Sequence, residues 1–234
     1  MACGSCVQDP QDGGVDGQKM DSTQVSAHWD TVYGGKAPDQ LSWFQLQPEP
    51  SLQLVQQRAS SPKAQIIDVG GGTSLLVDAL LSLGYKHLTV LDLSERALAT
   101  VQQRLAVQAA DVIWLAGDVR SIALPHQAYD IWHDRAVFHF LVDPADRQRY
   151  AEQVTHSLRP GGDLILATFA EDGPERCSGL LVLRHSTESL QQVFGQQMEL
   201  QHQQRITHVS PSGVEQKFLY TVWKLKNGVE DQRV

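Results

Sequence analysis

Gln65-Ile66-Ile67-Asp68-Val69-Gly70-Gly71-Gly72-Thr73-Ser74 is the stretch on which the reading of this chain turns. Ile66, Ile67 and Val69 make a short apolar run of β-formers, as a strand buried in a parallel sheet requires. Gly70 to Gly72 let the backbone turn sharply and approach a ligand with no Cβ in the way. Leu75, Leu76, Val77, Leu80 and Leu81 then repeat at helical spacing. A strand, a glycine turn and a helix start form a nucleotide-type site at the carboxyl end of a sheet. The dinucleotide fingerprint G-x-G-x-x-G is broken here, since its third position is Leu75. Asp68, two residues before Gly70, repels a diphosphate and attracts an ammonium group. That favours an amino-acid-bearing nucleoside; the plain alternative is a tight turn with no ligand.

Outward from this stretch, strands and helices alternate. Leu88–Asp92 is a second strand ending in an acid, about twenty residues past the glycine turn, where a carboxylate can accept both ribose hydroxyls. Ser94 reads as the N-cap of a helix through Gln108. Val112–Ala116 is a third strand, running into Gly117-Asp118-Val119, which sets another acid and an apolar residue at a strand tip. Tyr129–Asp134 is a fourth, followed by Arg135 and then Phe138-His139-Phe140. Asp143-Pro144 starts a helix that Arg159-Pro160-Gly161-Gly162 breaks, and Leu164–Phe169 is a fifth strand. Ser186 or Thr187 caps a helix to Phe194. Met198–His208 and Lys217–Leu225 read as an antiparallel hairpin around Pro211-Ser212-Gly213. The expected order is five β/α units and a terminal hairpin.

Before the first strand, residues 23–60 hold Trp29, Tyr33, Trp43 and Phe44, dense aromatics in a chain only 7% aromatic. Trp29 and Tyr33 share one face if helical. Two readings stand: a lid closing over a cofactor, or aromatics forming that segment's own core. Residues 1–22 lack periodicity and read as a disordered tail, residues 23–226 as a single domain, and residues 227–234 as a frayed end.

Composition bounds the function. The 234 residues are 41% hydrophobic, enough for one globular domain with a full core. The net charge of −8 disfavours nucleic acid as a partner. No apolar run approaches the ~18 residues of a membrane span, and no signal peptide is visible. Three cysteines, an odd number, suit a reducing cytoplasm, so a cytoplasmic location is expected. Cys3-Gly4-Ser5-Cys6 lacks the partners of a four-ligand zinc site, and the histidines show no ligand spacing, so no metal is expected.

Asp68-x-Gly70-x-Gly72, Asp92, Gly117-Asp118-Val119, Asp134 and Pro160-Gly161-Gly162 stand in the order of the motifs of the class I, seven-stranded S-adenosylmethionine (SAM)-dependent methyltransferases, which this chain resembles over about residues 25–226. The resemblance implies an α/β, Rossmann-like, doubly wound sheet of order 3-2-1-4-5-7-6 with strand 7 antiparallel, and SAM as cofactor. It assigns Asp68, Gly70, Gly71, Gly72 and Ser74 to the methionine end, Asp92 and Leu93 to the ribose, and Asp118 and Val119 to the adenine. Asp134 closes the fourth strand beside the activated methyl group, and Trp29 and Tyr33 cover the cofactor. For the acceptor side, Tyr33, Trp43, Phe44, Phe138 and His139 are the candidate substrate residues. His139, Asp134 and Arg135 are the candidate catalytic ones, with His139 as base ahead of His133, since an unperturbed imidazole titrates near 6.5. Arg135 pairs with Asp134 or with an anionic acceptor.

The Asn/Asp-Pro-Pro-aromatic motif of amino-methylating DNA enzymes is missing; its slot reads Asp134-Arg135-Ala136-Val137. The entrance Trp29-Asp30-x-x-Tyr33 with Trp43-Phe44 resembles both protein-lysine methyltransferases and small-molecule thiol, halide and metalloid methyltransferases. The lysine enzymes carry Asp-Lys-Gly-Thr where this chain has Asp134-Arg135-Ala136-Val137. The leading expectation is methyl transfer to a small thiol, amine or metalloid. A protein lysine is the alternative, and a non-catalytic SAM-binding protein the third. Cys177 either lines a pocket for a soft atom or is buried and inert.

Overall fold

The computed structural model describes residues 21–228. The expected tail and frayed end fall largely outside these residues, as do Cys3 and Cys6. Strands β1 (Gln65–Val69), β2 (His87–Asp92), β3 (Val112–Ala116), β4 (Tyr129–Arg135) and β5 (Leu158–Phe169) are parallel neighbours. A two-strand ribbon follows, β6 (Arg176–Cys177) and β7 (Leu180–Leu181). Then β8 (Met198–Val209) and β9 (Glu215–Leu225) form the hairpin, and β9 inserts antiparallel between β5 and β8. The sheet order is β3-β2-β1-β4-β5-β9-β8, the expected 3-2-1-4-5-7-6 once the ribbon is set aside.

Strand parity divides the core. Ile66, Leu88, Val90, Ile131, Ile165 and Val222 face helices α2 (Ser51–Arg58), α3 (Leu76–Ser82) and α4 (Glu95–Leu105). Ile67, Val69, Leu91, Trp132, Leu164 and Trp223 face α5 (Pro144–Ser157) and α6 (Thr187–Phe194). Each side chain buried this fully stabilises the fold by about 1.5–3 kcal/mol. Both faces are covered, which is why the parallel strands read as continuous apolar runs.

Three sequence expectations change. No helix joins β3 to β4: the short link through Pro125 holds only turns, so there are four β/α units rather than five. Helix α4 stops at Leu105, because Ala106 takes φ +51° and a 3-10 turn follows to Asp111. Pro160-Gly161-Gly162 does not separate helix from strand. α5 ends at Ser157 and β5 begins at once, carrying those residues as a bulge where its register on β4 shifts between Tyr129 and Ile131. Among the described residues no helix is long and apolar enough to cross a membrane.

Helix α1 (Ser22–Gly35) precedes the sheet, opened by an Asp21–Gln24 capping box. None of its residues is fully buried. It is fastened by Ser26 Oγ donating to the Leu93 carbonyl (3.0 Å) and by Ser94 Oγ donating to Asp30 (2.5 Å), and by its aromatic face.

Candidate functional site

The glycine corner is built by the turn after β1. Gly70 N–H donates to the Leu91 carbonyl at 2.7 Å, tying the turn to β2. Gly70 and Gly72 have φ of +67° and +50°, which L side chains rarely adopt. Asp92, buried at the tip of β2, accepts from Gly72 N–H (2.9 Å) and from Ser94 N–H (2.8 Å). Burial raises its pKa to about 6 against the pull of those two bonds, and Asp68 and Asp30 add to the rise. Each carboxylate oxygen keeps a lone pair for a hydroxyl.

Asp68 belongs to a buried chain of three polar groups. His133 Nδ1 lies 2.7 Å from Asp68 Oδ1, and its Nε2 lies 2.8 Å from Ser51 Oγ. With Nδ1–H donating to the carboxylate, Nε2 accepts the hydrogen bond from the Ser51 hydroxyl. The chain ties the start of α2 to the tips of β1 and β4. Asp68 and His133 are direct partners in the β1–β4 register, a pairing visible in the sequence only once those strands are known to be neighbours.

The lid lies on this corner. Trp29 packs against Tyr33, Trp43 and Phe140, with ring centroids 5.1–6.2 Å apart. Tyr33 is part-exposed as a residue, but its hydroxyl is buried over Gly72, where a Cβ would meet it at 2.2 Å. Burial raises the Tyr33 pKa well above its usual value, and the Asp92 and Asp68 charges add to the effect. Val137 sits over Gly70 in the same way, at 2.0 Å from such a Cβ. A cavity of about 30 Å³ remains, room for about two waters. Trp43, Gln45, Pro48, Ser51, Asp68, Gly70, Gly71, Ser74, Leu76, His133 and Arg135 line it. A second small cavity beside it is bounded by Trp43, Phe44, Ser74 and Arg135.

The site residues read from the sequence separate into two groups. Asp68, Gly70, Gly71, Ser74, Trp43, Phe44 and Arg135 line these cavities; Asp92, Gly72, Leu93, Trp29 and Tyr33 surround the same corner. Asp134 points to the opposite face of the sheet. It accepts from Val137 N–H (2.9 Å), Phe138 N–H (3.1 Å) and Tyr150 Oη (2.6 Å), and burial raises its pKa to about 6 against those bonds. It clamps the turn after β4, and Phe138 packs in the core among Tyr150, His185 and Phe194. At the tip of β3, Asp118 is gripped by the backbone N–H and guanidinium of Arg120, which also reaches Asp146. Burial pushes the Asp118 carboxyl up, but the bonds from Arg120 prevail and hold it below the usual range. Val119 is buried in the core. Ser51, Gln45 and Pro48 carried no motif and are contributed by packing alone.

His139 lies inside the protein, its ring between Phe140 and Phe169, with Nδ1 accepting from Phe169 N–H at 3.3 Å. Burial, then His185 and Arg135, lower its pKa to about 3, which ill suits a base at neutral pH. Cys177 is buried and its thiol is pushed up to about 11 by burial, the inert condition. A stability consequence follows for His139. Between pH 6.5 and 3 the unfolded chain binds a proton there that the folded chain does not, so folding loses stability as pH falls through that window. At pH 5 the loss is about 2 kcal/mol. His139→Gln should reduce the drop in urea-unfolding free energy between pH 7 and pH 5 by that amount; parallel profiles for the two proteins would rule it out.

A family described as a methyltransferase domain matches residues 66–162, the span from β1 into the first residues of β5. This places a methyltransferase domain at residues 66–162, and the sheet order is the one expected for the class I SAM-dependent methyltransferase superfamily. Among curated proteins this chain is 30% identical over 116 residues to a ubiquinone/menaquinone biosynthesis C-methyltransferase of Roseobacter denitrificans, covering 47% of this chain and 45% of that one. It is 22% identical over 148 residues to an eEF1A lysine and N-terminal methyltransferase of Danio rerio, covering 62% of this chain and 21% of that one. The chain thus spans less than half the length of either relative. Its fold matches the 1,6-didemethyltoxoflavin-N1-methyltransferase of Burkholderia thailandensis with TM-score 0.69 at 18% identity, covering 91% and 94% of the two chains.

The residues present fit the cofactor of this superfamily. Carboxylates stand at the tips of β1, β2 and β3, and both positive-φ glycines leave backbone that a Cβ would obstruct. The corner is closed by side chains, Tyr33 and Val137, so admitting a nucleoside requires the lid to move.

Proposed function

We propose that the protein transfers a methyl group from SAM to a small-molecule acceptor by in-line displacement. The observation carrying this reading is the closed, glycine-floored corner holding Asp68 and Asp92, beneath an aromatic lid and beside the Arg135 end of β4. When bound, SAM supplies the activated methyl group and its own leaving group. The chain's contribution is alignment and exclusion of water. Asp68, held by His133 and Ser51, would face the methionine ammonium. Asp92 would accept the ribose hydroxyls, and the Asp118–Val119 tip would receive the adenine after Arg120 swings aside. Trp29, Tyr33, Trp43 and Phe44 would close over both reactants. A thiol, amine or metalloid acceptor suits so small a space. A protein lysine is the second reading, favoured by the likeness to the Danio rerio enzyme and by the Trp29-Asp30-x-x-Tyr33 entrance, which resembles that of protein-lysine methyltransferases.

Labelled SAM incubated with the protein and fractionated cell extract tests this. Label is expected in the low-molecular-weight fraction. Label confined to a protein band would replace this reading with the second. Cofactor binding with no labelled fraction would leave a non-catalytic SAM-binding protein.

A further inference from the structure

Among the described residues, Arg135 is the one on a strand of the sheet that lines both cavities and also bonds the lid loop. Parity on β4 places it on the same face as Ile131 and His133, toward α2 and the glycine corner. Its Nε donates to Tyr220 Oη at 3.0 Å and its Nη1 to the Trp43 carbonyl at 3.0 Å. The guanidinium lies 4.8 Å over the Phe218 ring. Its Nη2 is buried and has no partner.

The charge is equally unmatched. Arg104 pairs with Asp78, Arg120 with Asp118 and Asp146, and Arg159 with Asp130. Among the described residues no carboxylate lies within ion-pair distance of Arg135. A guanidinium cannot shed its proton, and a part-buried charge without a counter-charge is costly. Tyr220, Trp43 and Phe218 hold the group in place without neutralising it.

A second donor shares this deficit. His139 Nδ1 accepts from Phe169 N–H, which puts the ring proton on Nε2. That Nε2–H is buried and also has no acceptor. It lies within electrostatic reach of Arg135, whose charge contributes to the lowered basicity of the ring. His139 lines neither cavity, whereas Arg135 lines both, so it is the fixed, unpartnered guanidinium donor at the end of β4 that describes a place for an oxyanion.

We propose that Arg135 is the receptor for an anionic group, of carboxylate or phosphate class, carried by the methyl acceptor. This deepens the proposed function and rests on it. The acceptor, rather than the cofactor's own carboxylate, is favoured by position. The groups that fix Arg135 come from β9 and the lid loop, on the β4–β5–β9 half of the sheet. The carboxylates read for the cofactor stand on β1, β2 and β3. A planar fork suits a carboxylate or phosphate through paired N–H donors, and Lys does not reproduce it.

The experiment first titrates the full-length protein with S-adenosylhomocysteine, then titrates the saturated complex with benzoate, inorganic phosphate and benzyl alcohol in low-salt buffer, following tryptophan fluorescence. At least one of the two anions is expected to bind tenfold or more tighter than the alcohol. Arg135→Gln should erase that preference, Arg135→Lys should keep part of it, and both should bind S-adenosylhomocysteine within threefold of the parent. Equal affinity for anions and alcohol, or an anion preference that survives in Arg135→Gln, overturns the proposal. So does a tenfold loss of S-adenosylhomocysteine in Arg135→Gln with the anion preference intact, which gives the guanidinium to the cofactor. Should Arg135→Gln fail to fold by circular dichroism, the parent's anion-to-alcohol ratio and the Lys variant decide. Failure of the parent to bind S-adenosylhomocysteine removes the methyltransferase reading itself, and shows before any anion is added.

Discussion

Asp92→Asn is expected to weaken S-adenosylhomocysteine binding about a hundredfold while leaving the urea midpoint at pH 7 nearly unchanged. The two effects separate because Asp92 does two things. Its oxygens accept Gly72 N–H and Ser94 N–H, and its remaining lone pairs would take the ribose hydroxyls. Hydrogen bonds to a charged group contribute about 1.5–3 kcal/mol each, so replacing one carboxylate oxygen by an NH2 donor and neutralising the other accounts for the expected drop in affinity. Stability follows another balance. With its pKa raised to about 6, the carboxylate is held charged at pH 7 at a cost of about 3 kcal/mol relative to the unfolded chain. The carboxamide removes that cost and forfeits one backbone bond, so the two changes offset. The sign can be checked by pH. A carboxyl whose folded pKa is raised contributes most below its unfolded value near pH 4, and that contribution fades as pH rises through 6. Asp92→Asn should remove this component from the stability profile. Asp92→Ala, by contrast, strips both N–H groups of their acceptor and should lower stability by about 1–3 kcal/mol for each. Unchanged S-adenosylhomocysteine affinity in the Asn variant would refute the ribose assignment.

The acids at the strand tips were legible because each closes a run of β-formers at an interval that only a βαβ repeat produces. The strand order was legible for the same reason, through the family motifs. Side-chain facing on β4 is only half encoded in the sequence. Trp132 and Asp134 share one parity, Ile131, His133 and Arg135 the other. That alternation is plain in Tyr129–Arg135, but which parity meets the glycine corner depends on where α2 and α5 pack. Asp134 therefore serves the turn and Tyr150, and Arg135 faces the cavities. His139 departs from its expected role for a related reason. A histidine beside two phenylalanines takes its proton affinity from burial, which a one-dimensional pattern does not report. The seat of Tyr33 on Gly72 joins residues about forty positions apart through a helix with no fully buried residue, and no local signal encodes it.

Gly70→Ala tests whether the corner's shape, rather than its chemistry, sets binding. The substitution meets two separate obstacles. Gly70 holds φ +67°, where an L residue costs about 1–2 kcal/mol. Its new methyl would also sit 2.0 Å from Val137 Cγ2, and forced overpacking of this kind costs about 1–3 kcal/mol. Valine is stiff at χ1, so Val137 moves away only with its backbone, which Asp134 holds at the Val137 N–H. A destabilisation of about 3 kcal/mol is expected in urea unfolding, with S-adenosylhomocysteine binding lost as the turn shifts off the Leu91 carbonyl. Val137→Ala removes the collision and leaves the backbone strain, so Gly70→Ala/Val137→Ala should recover about half of the lost stability. If the double variant is instead destabilised by the full sum of the two single changes, Val137 is not the wall of the corner, and the tightness over Gly70 has another source.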